Sequence, residues 1–75
     1  MSKYKNLSGD SPIISYEIDL SSITIKFKGN YSYKYTYQSS GRQNIEKMKK
    51  LALSGKGLSS FISRNIKEKY SSKFR

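Results

Sequence analysis

Between Ile14 and Gln38 the chain alternates apolar and polar residues almost without a break, in three runs. Ile14, Tyr16, Ile18 and Leu20 alternate with Ser15, Glu17 and Asp19. Ile23, Ile25 and Phe27 alternate with Thr24, Lys26 and Lys28. Tyr31, Tyr33, Tyr35 and Tyr37 alternate with Ser32, Lys34, Thr36 and Gln38. A period of two sends successive side chains to opposite faces, which is the signature of strands with one buried face. Ser21-Ser22 and Gly29-Asn30 separate the runs, and glycine and asparagine tolerate the positive φ of a tight hairpin. Connections this short make the three strands neighbours in an antiparallel meander. The Ile23/Ile25/Phe27 side must face inward. Tyrosines that share it are core or core rim, each keeping its hydroxyl at a wet edge. The competing reading is that exposed tyrosines stack bases, with Tyr31 or Tyr37 at the rim as the stacking ring.

After Ser39-Ser40 the period changes. Ser40-Gly41-Arg42-Gln43 matches a capping box, a serine followed three residues later by glutamine. Ile45, Met48, Leu51 and Ala52 then fall on one helical face, and Gly55 and Gly57 end that helix. Leu58, Phe61, Ile62 and Ile66 form the apolar side of a second helix, with Tyr70 near its edge. Ser54-Gly55-Lys56-Gly57 lacks the longer glycine frame and the hydroxyl residue after lysine of a phosphate-binding loop. It reads as a helix–helix turn, with the next helix's N–H groups able to hold one phosphate. The expected fold is α+β: a three-stranded antiparallel meander followed by two helices on one face, over residues 12–70. Residues 1–11 show no periodicity and read as a flexible arm. Residues 71–75 read as a basic tail that frays.

Seventy-five residues allow one domain with a thin core, so a deep substrate cavity is not expected. The chain has neither histidine nor cysteine, which removes the commonest general base and the commonest metal ligands. The five acids are scattered, and every lysine reads as solvent-facing rather than desolvated into a base. The expectation is therefore no catalytic residue, no metal and no cofactor. No run approaches the roughly 18 apolar residues of a membrane span, and the first residues lack a signal peptide's apolar stretch. The expectation is a cytoplasmic protein without membrane contact.

Charge points to a partner. Fifteen basic residues face five acids, for a net charge of +10. Such self-repulsion lowers stability, and ordinary exposed helices interleave both signs. Arg42, Lys47 and Lys50 lie away from the Ile45/Met48/Ala52 stripe, and Arg64 and Lys67 lie opposite Ile62. With Lys56 in the turn they are expected to form a continuous basic surface that neutralises phosphates. A second surface is the outward sheet face, where Lys26, Lys28 and Lys34 accompany hydroxyl residues and Tyr37 stands at the rim. That composition equally describes a solvated antiparallel sheet. Only three of the fifteen basic residues are arginine, the residue best suited to bidentate base contacts, so sequence readout is not expected. The expected function is non-enzymatic binding of nucleic acid through phosphates. The alternative is a module that docks an acidic protein, and a third reading gives the charge to solubility alone. Oligomeric state stays open, since the first strand or the tyrosine strand offers a free edge to a second copy.

The order of elements resembles the KTSC domain, a module found at the C-terminus of some lysyl-tRNA synthetases and as small free-standing proteins. The matching residues are Tyr16, the Ile23/Ile25/Phe27 strand, Gly29, a tyrosine-x-tyrosine, Ala52, Ser54, Gly57 and Phe61, closing on Ile66-x-x-x-Tyr70. The tyrosine pair is either Tyr33/Tyr35 or Tyr35/Tyr37. The chain departs from the family in carrying Ser39-Ser40 where valine-proline is frequent, and in a longer stretch between Tyr35 and Gly57. The resemblance implies RNA as the nucleic acid, by association with the synthetase.

Overall fold

A computed structural model of the chain describes residues 1–66 and 68–74. Lys67, assigned above to the basic helical surface, lies outside the described residues. The elements run β1 (Ser2–Lys3), β2 (Ile13–Ile18), β3 (Ser22–Phe27), β4 (Tyr31–Thr36), α1 (Tyr37–Ser40), α2 (Arg42–Ser54), α3 (Leu58–Phe61) and β5 (Ser72–Phe74). One π-turn, Ile62–Ile66, continues α3. The strands form one antiparallel sheet in chain order, β1-β2-β3-β4-β5. The fold is α+β. The three expected strands are its central ones, and two short strands from the chain's ends extend the sheet on either side.

Strand pairing explains the tyrosine periodicity. Ile23 faces Tyr35, Ile25 faces Tyr33 and Phe27 faces Tyr31, so apolar and tyrosine positions share a face. Against that face α2, α3 and the π-turn bring Ile45, Met48, Ala52, Leu58, Ile62 and Ile66, and these close the core. Gly29 and Asn30 take positive φ in the β3–β4 turn, as the turn requires. The first strand departs from its expected phase. A bulge between Ile13 and Ser15 puts an extra residue into β2. Bulges break the alternation, so Ile13 and Tyr16 go inward while Ile14 stands 40% exposed. Leu20, expected on the inner face, sits at the hairpin tip and is 92% exposed.

The switch from sheet to helix also differs from expectation. Thr36 caps α1: its Oγ1 accepts from the Ser39 N–H at 3.1 Å, while Ser39 Oγ accepts from the Thr36 N–H at 2.9 Å. The expected Ser40 cap does not form. Ser40 is buried and its hydroxyl donates to the Lys69 carbonyl at 2.7 Å, while Gly41 precedes α2 with no side-chain cap. A buried hydroxyl needs a partner, and this bond ties the start of α2 to the segment leading into β5.

Among the described residues, the segments expected as arm and tail both join the sheet. Lys3 pairs with Ser15 in the sheet, and Tyr4 joins the core. The Leu58 N–H donates to Tyr4 Oη at 3.4 Å, so the start of α3 spends that donor on the arm rather than on a phosphate. Leu7 N–H donates to the Gly55 carbonyl at 2.8 Å. Gly55 is required here: its φ is +79°, and a Cβ there would stand 2.5 Å from Lys5 Cβ. At the other end Ser71 N–H donates to the Lys34 carbonyl at 2.7 Å and leads into β5, which pairs with β4.

Candidate nucleic-acid interface

The helices cover one face of the sheet and leave the other open. The register places its side chains in rows. Lys3, Ser15, Lys26, Ser32 and Phe74 are successive cross-strand partners over all five strands. The next row runs Glu17, Thr24, Lys34 and Ser72. Neighbouring strands lie about 4.8 Å apart, so the Lys3 and Lys26 backbones stand about 10 Å apart. Lys26 and Lys34 are diagonal neighbours at about 7–8 Å. These spacings are comparable to the Debye length at physiological salt, about 8 Å, so the three fields add. Phe74, 46% exposed, offers a ring at the end of the first row. Lys28 is exposed in the β3–β4 turn.

Lys3 and Phe74 were not legible as members of this surface. They lie in the segments expected as arm and tail, and no local pattern announces a two- or three-residue edge strand. A weak signal existed: Lys73-Phe74 follows Tyr70-Ser71-Ser72, a short run with strand propensity.

On the helices Lys47 and Lys50 are exposed on α2, Lys56 in the α2–α3 turn and Arg64 in the π-turn. Arg42 is drawn elsewhere. Its guanidinium stands 5.8 Å from the Tyr37 ring centroid, and Lys49 Nζ stands 5.6 Å from the same ring. The Tyr37 hydroxyl donates to Glu46 Oε2 at 2.6 Å, and Lys49 Nζ donates to the same oxygen at 3.0 Å and to the Leu20 carbonyl at 3.0 Å. Tyr37, expected as a rim ring able to stack a base, is thus occupied by its own neighbours. The Tyr37 and Lys49 bonds hold the Glu46 carboxyl below its ordinary range, and the Glu46 bond pushes the Tyr37 phenol above its ordinary value. The depressed Glu46 contributes stability present above its unfolded pKa and lost as pH falls through the folded one. The raised Tyr37 contributes stability present below its unfolded pKa and lost as pH rises through the folded one. A carbon-detected NMR titration is expected to place the Glu46 midpoint low and to move it up in Tyr37→Phe; an unmoved midpoint would contradict the contact.

The tyrosine side of the sheet builds a different structure. Tyr33 and Tyr70 stack with centroids 4.7 Å apart and 7° between planes, and Tyr35 meets each edge-on at 6.4 Å. Tyr35 is fully buried, and its hydroxyl has no hydrogen-bond partner among the described residues. Burial pushes its phenol far above the ordinary value, with Tyr33 and Tyr70 adding to the shift. A buried unsatisfied hydroxyl costs about 1–3 kcal/mol. Tyr35→Phe is therefore expected to raise the melting temperature, by about 4–8 °C per kcal/mol recovered in a domain this size. Thermal unfolding followed by circular dichroism checks this, and a lower melting temperature would mean that the hydroxyl is satisfied.

Among the described residues no three histidine, cysteine, aspartate or glutamate side chains gather as metal ligands, and no helix is long and apolar enough to cross a membrane. No family model, no curated protein and no solved structure matches the chain.

Proposed function

We propose that this protein is a non-enzymatic module that binds nucleic acid through its phosphates, with RNA ahead of DNA. The observation that carries the reading is the open sheet face. Lys3, Lys26 and Lys34 project from it among Ser15, Thr24, Ser32 and Ser72, with Glu17 as the acid of the two rows. Lysines supply charge and hydroxyls donate to phosphate oxygens, which positions a strand without reading its sequence. Exposed Lys47, Lys50, Lys56 and Arg64 on the helices add to the field that steers a polyanion to the molecule. The preference for RNA rests on the KTSC resemblance.

Fluorescence anisotropy with single-stranded RNA, duplex DNA and heparin, each over a salt series, tests the proposal. Three engaged lysines give a log–log salt slope of about −2 on a single strand. RNA binding clearly tighter than heparin, with that slope, is the expected result. A flat slope, or equal affinity for every polyanion, would sink it. A second reading, docking of a protein, draws on the exposed Leu20 and Ile18, an apolar patch with Asp19, Glu46 and Lys49 around it. It expects Leu20→Ser to abolish partner capture while leaving RNA affinity unchanged.

A further inference from the structure

On the helix side of the sheet, away from the lysine rows, a cleft of about 320 Å³ opens between β4 and the α3 π-turn. Its apolar walls are Phe27, Tyr33, Tyr70 and Ile62. Ser59, Ser63, Glu68 and the buried Tyr35 also line it. The Tyr35 hydroxyl is the buried donor without a partner described above. The π-turn places Ile62 and Ser63 on this wall, and single π-turns recur at functional sites. Aromatic walls with a few convergent polar groups are the usual make-up of a small-ligand pocket.

The groups present select the ligand. The volume lies at the small end of ligand pockets and has room for a flat ring system. An anion is disfavoured by Glu68. A cation is disfavoured by the Lys73 ammonium, 5.5 Å from the Tyr33 ring, on a chain of net charge +10. A neutral flat ring suits the walls. An acceptor on its edge satisfies the Tyr35 hydroxyl, and an amino group beside that acceptor donates to Glu68, the pairing carboxylates make with the cytosine amino group. We propose that this cleft binds a neutral heteroaromatic ring carrying a hydrogen-bond acceptor beside an amino donor, the edge chemistry of cytosine. The ring belongs either to a free nucleoside-like molecule or to an unpaired base of a strand. The inference stands on the cleft and not on the lysine face.

The test is an NMR titration of the full chain with cytidine, uridine and benzylamine, and separately with a short cytidine-rich RNA. Cytidine is expected to shift the amides of Ser59, Ser63 and Tyr70 saturably, and more tightly than uridine, which lacks the amino group. Tyr35→Phe keeps the ring and removes only an unpartnered hydroxyl, so the variant folds. It is expected to weaken cytidine binding roughly tenfold. Ser63→Trp, at an exposed position, is expected to block the cleft. RNA that shifts these same amides identifies a strand's base as the ligand. RNA that shifts only Lys26 and Lys34, with cytidine still seated in the cleft, identifies a free molecule. Cytidine that leaves the cleft amides unmoved overturns the inference even if RNA binds the lysine face, and so does benzylamine bound as tightly, or an unchanged affinity in Tyr35→Phe.

Discussion

Replacing Tyr4 with alanine is expected to destabilise the protein by about 3–5 kcal/mol, the usual cost of truncating a buried aromatic side chain. A chain of 75 residues has a total stability of about 4–11 kcal/mol at the usual density per residue, so the variant would stand close to unfolding. The expectation comes from position. Tyr4 is 3% exposed, sits in the same cluster as Ile13 and Leu58, and its hydroxyl accepts the Leu58 N–H. Removing the ring leaves a cavity under α3 and returns that N–H to solvent or to nothing. The control is Lys5→Ala, an exposed neighbour expected to stay within about 0.5 kcal/mol. Urea unfolding of both variants checks the pair. A Tyr4→Ala variant as stable as the parent would mean that residues 1–11 are the loose arm their composition suggests.

The triple substitution Lys3→Gln, Lys26→Gln and Lys34→Gln is expected to weaken RNA binding about fiftyfold at physiological salt. Each phosphate contact on a single strand contributes about 0.7 to the salt slope. Between 1 M and 0.15 M salt that is about 0.6 decade per lysine, and three lysines give about 1.7 decades. The slope itself should fall by about 2 at the same time. Replacing Lys47, Lys50 and Lys56 with glutamine is the comparison. If that triple has the larger effect, the helices and not the sheet carry the contact. Anisotropy over a salt series separates the two surfaces, and glutamine keeps the stem length, so solubility and packing change little.

What could be read from the sequence was whatever repeats locally. The tyrosine alternation put Tyr31, Tyr33, Tyr35 and Tyr37 on one face, and pairing with the Ile23/Ile25/Phe27 strand favoured the inner one, while the register that sets Tyr35 opposite Ile23 is not encoded by a period of two. The Ile45/Met48/Ala52 stripe fixed which side of α2 packs inward. Readings failed where one residue changes the phase or where the partner is distant. The bulge at Ile14 puts Ile13 inward in its place while Tyr16 keeps its expected side, and nothing adjacent in the chain marks it. Tyr4 reads as an isolated aromatic in a polar arm, since its neighbours Ile13 and Leu58 lie far along the chain. Lys3 and Phe74 join the lysine rows only through pairings that no periodicity encodes. The cleft was hidden for the same reason: Tyr35 and Tyr33 come from a strand, Ser59 and Ile62 from a helix, and Glu68 and Tyr70 from the loop after it.

The sheet's neighbour order has a kinetic consequence. β2, β3 and β4 are joined by three-residue loops, whose closure is fast and costs little entropy. β5 pairs Ser72 with Lys34 only after the chain has travelled through α1, α2, α3 and the π-turn, a far longer loop. The middle hairpins are therefore expected to form early, the helices to dock on them, and β5 to zip on last. Native-state hydrogen exchange should show the reverse order on opening: amides of β5 and β1 exchange first, by fraying, and those of Ile23, Ile25 and Tyr35 only with global unfolding. The molecule assembles from the middle of its sheet outward and comes apart from the rims.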